Sequence, residues 1–185
     1  MSSWQLRQAV RALHSGGIIA YPTEAVWGLG CDPLNLDALQ HLLHLKQRPA
    51  HKGLILIAAH FSDLEAFLAP LSATTYRRVM ESWPGAVTWL LPALPWVPME
   101  LRGRHDSLAV RVTAHASTRA LCEAFGGAVV STSANRSGHP AARSAFQARR
   151  YFGRQLAAVL PGDTSGAAAP SEIRDARSGR VLRPA

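Results

Sequence analysis

The chain holds only two lysines, Lys46 and Lys52, and both fall in the stretch Leu45-Lys-Gln-Arg-Pro-Ala-His-Lys-Gly53. Its other 18 basic residues are arginines. Lysine is a compact point charge that can hold a phosphate oxygen without arginine's fork geometry, whereas Arg48 between them offers that fork. The three cations therefore suit a polyphosphate, and the competing reading is a solvated cationic loop. A second candidate lies just upstream. Ile18 to Tyr21 is a short apolar run ending at Pro22, which fixes its own φ and cannot donate to a ladder. The strand should stop there, leaving Thr23 and Glu24 at its end, where open α/β sheets place ligands.

Two further groupings carry chemistry. Ser107 and Arg111 sit at i and i+4 around the strand-like Leu108-Ala-Val-Arg-Val112, so their side chains share a face. An arginine in an apolar strand is costly to bury unpaired. Arg111 thus meets either a bound anion or a structural partner such as Asp106. Ser131-Thr-Ser-Ala-Asn135 crowds hydroxyls and an amide at another strand's end. A helix cap needs one such residue, so the set reads as a polar clamp for a small ligand. Cations and hydroxyls without an evident nucleophile–base pair point to chemistry by positioning and charge neutralisation on phosphate.

Other chemistries are missing. No G-x-x-x-x-G-K-[ST] marks a P-loop, and Gly28-Leu-Gly30 is followed by Pro33 where a dinucleotide fingerprint needs glycine. No G-x-S-x-G marks a hydrolase elbow. His41 and His44 share a helix face but lack a carboxylate or Cys to complete a metal set, so no bound metal is assigned.

The elements that must position these residues follow from periodicity. Trp4 to His14 has helical spacing, with Ser2 or Ser3 as cap and Gly16-Gly17 as stop. Asn35 caps a second helix running to Lys46, and Arg48-Pro49 closes it because the residue before proline avoids αR. Leu54–Ala59 is a continuous apolar run, the pattern of a strand covered on both faces. Ser62-Asp-Leu-Glu65 reads as a capping box opening a helix through Leu68. A helix over 74–83, a strand over 87–91, a proline-interrupted loop, a strand over 108–112 and a helix over 117–125 follow. Then come a strand over 128–131, a polar loop over 132–140, a helix over 144–152, a strand near 157–160 and a glycine–alanine loop at 162–169. Glu172 to Arg183 reads as a hairpin turned at Ser178-Gly179. Interleaved strands and helices with hairpin-like pieces predict a mixed α/β sheet.

With 185 residues, 48% hydrophobic and 17% charged, the chain has the composition of one globular domain over 1–185. No apolar run is long enough to span a membrane, and residues 1–11 lack a signal-peptide core. Cys31 and Cys122 form no C-x-x-C and read as apolar fillers in a reduced, cytoplasmic compartment. Net charge is +8. Residues 136–185 contribute nine arginines against Asp163, Glu172 and Asp175, leaving +2 for residues 1–135. Such asymmetry suggests a polyanionic partner, nucleotide or nucleic acid.

The ordered set of motifs resembles the YrdC-type family of L-threonylcarbamoyladenylate synthases, closest to its short bacterial TsaC type. The matching pieces are Tyr21–Asp32, Leu45–Pro49 with Lys52–Ile57, Trp83–Thr88, Asp106–Val112, Val130–Gly138 and Pro170–Asp175 through Gly179–Arg183. The resemblance implies a twisted, open mixed α/β sheet with flanking helices (the YrdC-like fold) and a large basic concave site. It implies condensation of L-threonine, bicarbonate and ATP into threonylcarbamoyl-AMP and pyrophosphate, the first step towards the t6A modification of tRNA. Thr23, Arg111, Ser131 and Ser171 would hold L-threonine. Arg48, Lys52, Ser107, Ser133, Asn135 and Arg183 would hold ATP, and Lys46, Arg48 and Lys52 would stabilise the transferring phosphate. Mg²⁺ would accompany ATP as counter-ion, with no tightly bound metal. Direct binding of tRNA and downstream threonylcarbamoyl-transfer proteins are expected partners. Ala86 replaces a common proline, and Ala141 a serine that reaches the nucleotide in relatives. The alternatives are an RNA-binding module without catalysis, a YciO-like relative, or a hydrogenase-maturation carbamoyltransferase-type domain.

Overall fold

The protein is described here from a computed structural model, which defines residues 1–167 and 169–184. Ala168, inside the glycine–alanine loop, and Ala185 lie outside the described residues. In chain order the elements are α1 (Ser3–His14), β1 (Ile19–Pro22), β2 (Trp27–Gly30), α2 (Leu36–Lys46), β3 (Ile55–Ala58), α3 (Ser62–Glu65) and α4 (Ala73–Met80). Then follow β4 (Val87–Pro92), α5 (Met99–Arg102), β5 (Ser107–Val112), α6 (Ala116–Phe125), β6 (Val129–Ser133), α7 (Ala145–Phe152), β7 (Ala158–Val159), β8 (Glu172–Asp175) and β9 (Val181–Arg183). Short 3₁₀ turns occupy Ala50–Lys52 and Gly153–Gln155.

The strands form one mixed sheet in the order β7-β1-β2-β6-β3-β5-β4-β8-β9. The pairs β1–β7, β3–β5 and β4–β8 are parallel and the rest antiparallel. β3 lies near the middle and explains the continuous apolar run in its sequence. Leu56 and Ala58 enter one core with Leu39, Leu42, Leu101 and Phe152 from the helices, while Ile57 and Ala59 enter another with Ala9, Leu13 and Leu121. The first core carries α2, α3, α4, α5 and α7; the second carries only α1 and α6. Successive strand side chains alternate faces. One face is therefore covered along its length, and the other only in part.

Most boundaries fall where the sequence puts them. Ser2 and Gln5 form a capping box on α1, and Asn35 Oδ1 accepts the Ala38 N–H at 3.0 Å. Ser72 and Ser144 cap α4 and α7. Pro22 ends β1, paired with Trp27 across the turn. The terminal hairpin forms as β8 and β9, and it is built into the sheet through β4.

Four expectations need correction. The helix from Ser62 is one turn long, because its N-cap is Phe61 and makes no side-chain bond. Phe67 O instead accepts the Leu94 N–H at 3.0 Å and Leu68 bridges Ala93, which pulls the chain out of helical register. Met80, not Trp83, ends α4; Trp83 Nε1–H donates to Val87 O at 2.6 Å, turning the chain into β4. β6 continues through Thr132 and Ser133, which pair with Leu29 and Gly28, so the polar loop starts later. The proline-interrupted loop contains α5, begun by Pro98, in keeping with proline's tolerance at helix starts.

Lys46 closes the end of α2 and is only 3% exposed. Its ammonium donates to Ser133 O, to Asn135 O at 2.8 Å and to Asn135 Oδ1 at 3.4 Å, tying the helix to the loop after β6. Burial first, and the Arg48 charge second, pull its pKa down to about 7. The unfolded chain then holds a proton that the folded chain has released between about pH 7 and the ordinary lysine value. Stability from this group therefore rises with pH across that window and is lost as pH falls through 7. Compared with Lys46→Met, the wild type should gain on the order of 2 kcal/mol between pH 6.5 and 9.5. Urea unfolding of both proteins at the two pH values measures it. A pH-independent difference would mean the three acceptors keep the ammonium protonated in the fold.

Candidate active site

The lysine–arginine loop is shaped by its backbone. Gln47, at φ 52°, is the left-handed residue that ends α2 and turns Arg48 away from the helix. Arg48 Nε–H donates to Gly53 O at 3.0 Å, so the guanidinium is pinned to the loop's far end. Gly53 and Gly103, both at positive φ, let two loops touch backbone to backbone. A Cβ on Gly53 would stand 2.7 Å from Leu101 O, and one on Gly103 2.4 Å from His51 O. The bonds Leu54 N–H to Leu101 O (2.7 Å) and Arg104 N–H to His51 O (3.2 Å) fasten this contact.

On β5, Ser107, Ala109 and Arg111 alternate with the buried Leu108, Val110 and Val112, as the i, i+4 spacing predicts. They face a cavity of about 520 Å³ on the less covered side of the sheet. Ser131 and Ser133 reach it from β6, where Ser131 pairs with Ile55 and Ser133 with Gly28. Thr23, Arg48 and Lys52 line it as well. The terminal hairpin adds Ser171, Ile173 and Arg183. Of the eleven residues singled out from sequence, nine line this one space.

The other two, Lys46 and Asn135, do not line it. Lys46, expected beside the transferring phosphate, bonds to the loop after β6. Asn135 Oδ1 accepts the Ser133 hydroxyl at 2.5 Å while its Nδ2–H donates to His139 O at 2.6 Å. Both residues therefore aim Ser133. Several lining hydroxyls are likewise pre-set: Thr23 Oγ1–H donates to Val26 O at 2.6 Å, and the Ser171 and Thr88 hydroxyls lie 2.9 Å apart.

Charge in the cavity is one-sided. Arg48 has its pKa lowered by burial and then by Arg183, and Arg183 has its own lowered by burial and then by Arg111. Arg183 Nη2–H donates to a main-chain carbonyl, Ser171 O, at 2.6 Å. Among the described residues no Asp or Glu lines the space. Asp106, the acid considered for Arg111, pairs with Arg177 at 2.7 Å instead. Arg111 pairs with Glu24 at 3.2 Å, both side chains almost fully buried. Sequence reasoning placed Glu24 at the strand end but gave it no role. Its position beside Thr23 in the same turn was the available signal.

A larger groove of about 1000 Å³ lies over α3 and α4, lined by Phe61, Leu68, Leu71, Tyr76 and Met80 with Glu65, Arg77 and Glu81. It is lined by a single cation and two acids, so the smaller cavity is the candidate site.

The family model Sua5_yciO_yrdC, described as telomere recombination, matches residues 11–185. Threonylcarbamoyl-AMP synthase of Nitrosococcus oceani is 55% identical over 181 residues, covering 98% of both chains. The protein of that name from Halorhodospira halophila is 54% identical, covering 97% of this chain and 94% of its own. Among solved structures, P. abyssi Sua5 complexed with L-threonine superposes with a TM-score of 0.88 at 30% identity over 95% of this chain, which spans 52% of that one. E. coli YciO, at 23% identity and TM-score 0.86, shares the fold. With the family match covering nearly the whole sequence and full-length relatives at about half identity, the chain belongs to the Sua5/YciO/YrdC family, among its short bacterial threonylcarbamoyl-AMP synthases.

Proposed function

We propose that this chain condenses L-threonine, bicarbonate and ATP into threonylcarbamoyl-AMP, releasing pyrophosphate and water, as one YrdC-like domain in the cytoplasm. The observation that carries the reading is the cavity in which Arg48, Lys52, Arg111 and Arg183 meet serine hydroxyls with no lining carboxylate. The threonine amine first captures bicarbonate as a carbamate, with loss of water. A carbamate oxygen then attacks the α-phosphorus of ATP, and the bond to the bridging oxygen breaks to release pyrophosphate. Negative charge builds on the phosphates, so fixed cations count most in the transition state.

In this reading Arg48, Lys52, Ser107, Ser133 and Arg183 hold ATP, and Thr23, Arg111, Ser131 and Ser171 hold L-threonine. Lys46 and Asn135 keep Ser133 in place. Mg²⁺ would enter as the nucleotide's counter-ion: the lining offers hydroxyl oxygens but no carboxylate, so the ion's ligands would be phosphate oxygens and water. No step is assigned to it. The carboxylic–phosphoric anhydride formed is reactive, so a threonylcarbamoyl-transfer protein must take it onward. The arginine-rich C-terminal third gives tRNA a surface to bind directly. The reading as an RNA module without catalysis leaves the buried arginine and the converging hydroxyls without a task.

Three outcomes test the reading. Pyrophosphate release should depend on L-threonine and fall in the order threonine, serine, valine, because a site that bonds a substrate hydroxyl leaves polar groups unpaired when it is absent. Equal release with valine would overturn the substrate. Arg48→Ala or Lys52→Ala should lower turnover on the order of 10²-fold, the scale of losing one preorganised charge-stabilising donor. Lys52→Arg should restore part of it. Thermal melts should move little for Lys52→Ala, since that side chain is exposed. Rates near wild type in both alanine variants would place the phosphates elsewhere.

A further inference from the structure

Glu24 and Arg111 form the one fully enclosed ion pair among the described residues, with side chains 10% and 7% exposed. Its geometry is incomplete. Glu24 Oε2 stands 3.2 Å from Arg111 Nη2, yet Oε2 and Arg111 Nε have no hydrogen-bond partner. Buried charges left partly unsatisfied cost stability, and a well-packed apolar pair would serve the fold as well or better. Glu24 Oε1 is by contrast firmly held. Thr113 Oγ1–H donates to it at 2.7 Å, and the same hydroxyl oxygen accepts the His115 N–H at 3.1 Å. Thr113, the residue after β5, is fully buried, so this clamp has one orientation.

The backbone around Glu24 is fixed as well. Its carbonyl accepts the Ala167 N–H at 3.1 Å, and its neighbour Thr23 is turned onto Val26 O. Arg111 thus reaches the cavity from a rigid strand, with one flank gripped by a carboxylate that cannot swing away. Arg183 is near enough to feel the Arg111 charge. A guanidinium paired with a clamped carboxylate has a preferred position that it loses when the carboxylate is removed.

We propose that Glu24, oriented by Thr113, is a positioning residue that fixes Arg111 to receive the substrate's carboxylate. Resting on the reading above that Arg111 meets L-threonine, the inference adds how its guanidinium is aimed. Glu24 itself does not touch substrate; its Oε2 is closed off from solvent. Its contribution is orientation, delivered through the buried ion pair with Arg111.

The test uses the full chain and reads L-threonine and ATP separately. In steady-state pyrophosphate release, Glu24→Gln should raise KM for L-threonine about tenfold or more and KM for ATP less than about threefold, with kcat at saturating threonine largely kept. Thr113→Val, which keeps the charge pair but frees the carboxylate, should shift the threonine KM in the same direction by less. Thr113→Ser, which keeps the hydroxyl, should recover most of it. Should Glu24→Gln fold poorly, the Val and Ser pair carries the test alone. Equal rises in both KM values would show general loosening of the site and overturn the role. So would an unchanged threonine KM in Glu24→Gln, or equal behaviour of Thr113→Val and Thr113→Ser. Titration calorimetry of the wild type with L-threonine separates the two levels: absence of binding there would overturn the substrate reading itself, and the role of Glu24 with it.

Discussion

The site depends on cations held together without being neutralised. Two of its guanidinium groups, those of Arg48 and Arg183, have their charge disfavoured by burial and then by a neighbouring arginine, Arg183 and Arg111 respectively. Carboxylates would relieve that repulsion and also cancel the field. Backbone carbonyls are used instead: Gly53 O for Arg48, Ser171 O for Arg183, and Ser133 O and Asn135 O for the supporting Lys46. A carbonyl dipole satisfies the N–H donors and fixes the side chain, yet leaves the net charge available to an incoming anion. Strain of this kind sits at functional sites and is offset by the rest of the fold.

That offset comes from the sheet. One face supports five helices and most of the core, which includes Trp27, Trp89 and a set of leucines. The opposite face is covered by α1 and α6 around Ile19, Tyr21, Ile57 and Val129, and stays open over the same strands further on. Register does the rest. Gly28 stands opposite Ser133 in one row, and two residues along β6 Ser131 stands opposite Ile55, which also pairs with Ala109, so residues far apart in sequence share one face across four strands. Gly28 adds no side chain to that row, and its neighbours gain room for a ligand.

Much of this was legible in the sequence because the controlling forces are local. Period-2 alternation on β5 aligned Ser107 with Arg111; the Asn35 cap and the uninterrupted apolar run of β3 announced themselves in the same way. The longer range was less so. The helix expected from Ser62 fails because Phe67 and Leu68 pair with Leu94 and Ala93, contacts that no window around Ser62 contains. The partner of Arg111 was sought nearby, at Asp106, but is Glu24, nearly ninety positions away and joined only through the fold. Lys46 was read by its charge, whereas its burial and its three acceptors make it a brace. A residue's type suggests what it can bond; which bond it makes is decided by strand order.

Charge compensation differs between the lining cations, and under the proposed assignment the difference matches the two kinds of substrate. Among the described residues no acid lines the cavity beside Arg48, Lys52 and Arg183, which would suit a triphosphate carrying several negative charges. At Arg111 a buried carboxylate stands behind the guanidinium, so the local field is close to balanced. An amino acid brings one carboxylate and one ammonium group, and a bare cluster of cations would repel the ammonium while attracting the carboxylate. A guanidinium backed by Glu24 still offers N–H donors in a fixed fork, with less net charge behind them. Hydroxyls from Thr23, Ser131 and Ser171 around it add acceptors that tolerate an amine in either protonation state. In the proposed reaction the amine must be neutral to attack a carbon, and an Arg111 backed by Glu24 would repel the arriving ammonium less than a bare cluster of cations before it loses that proton.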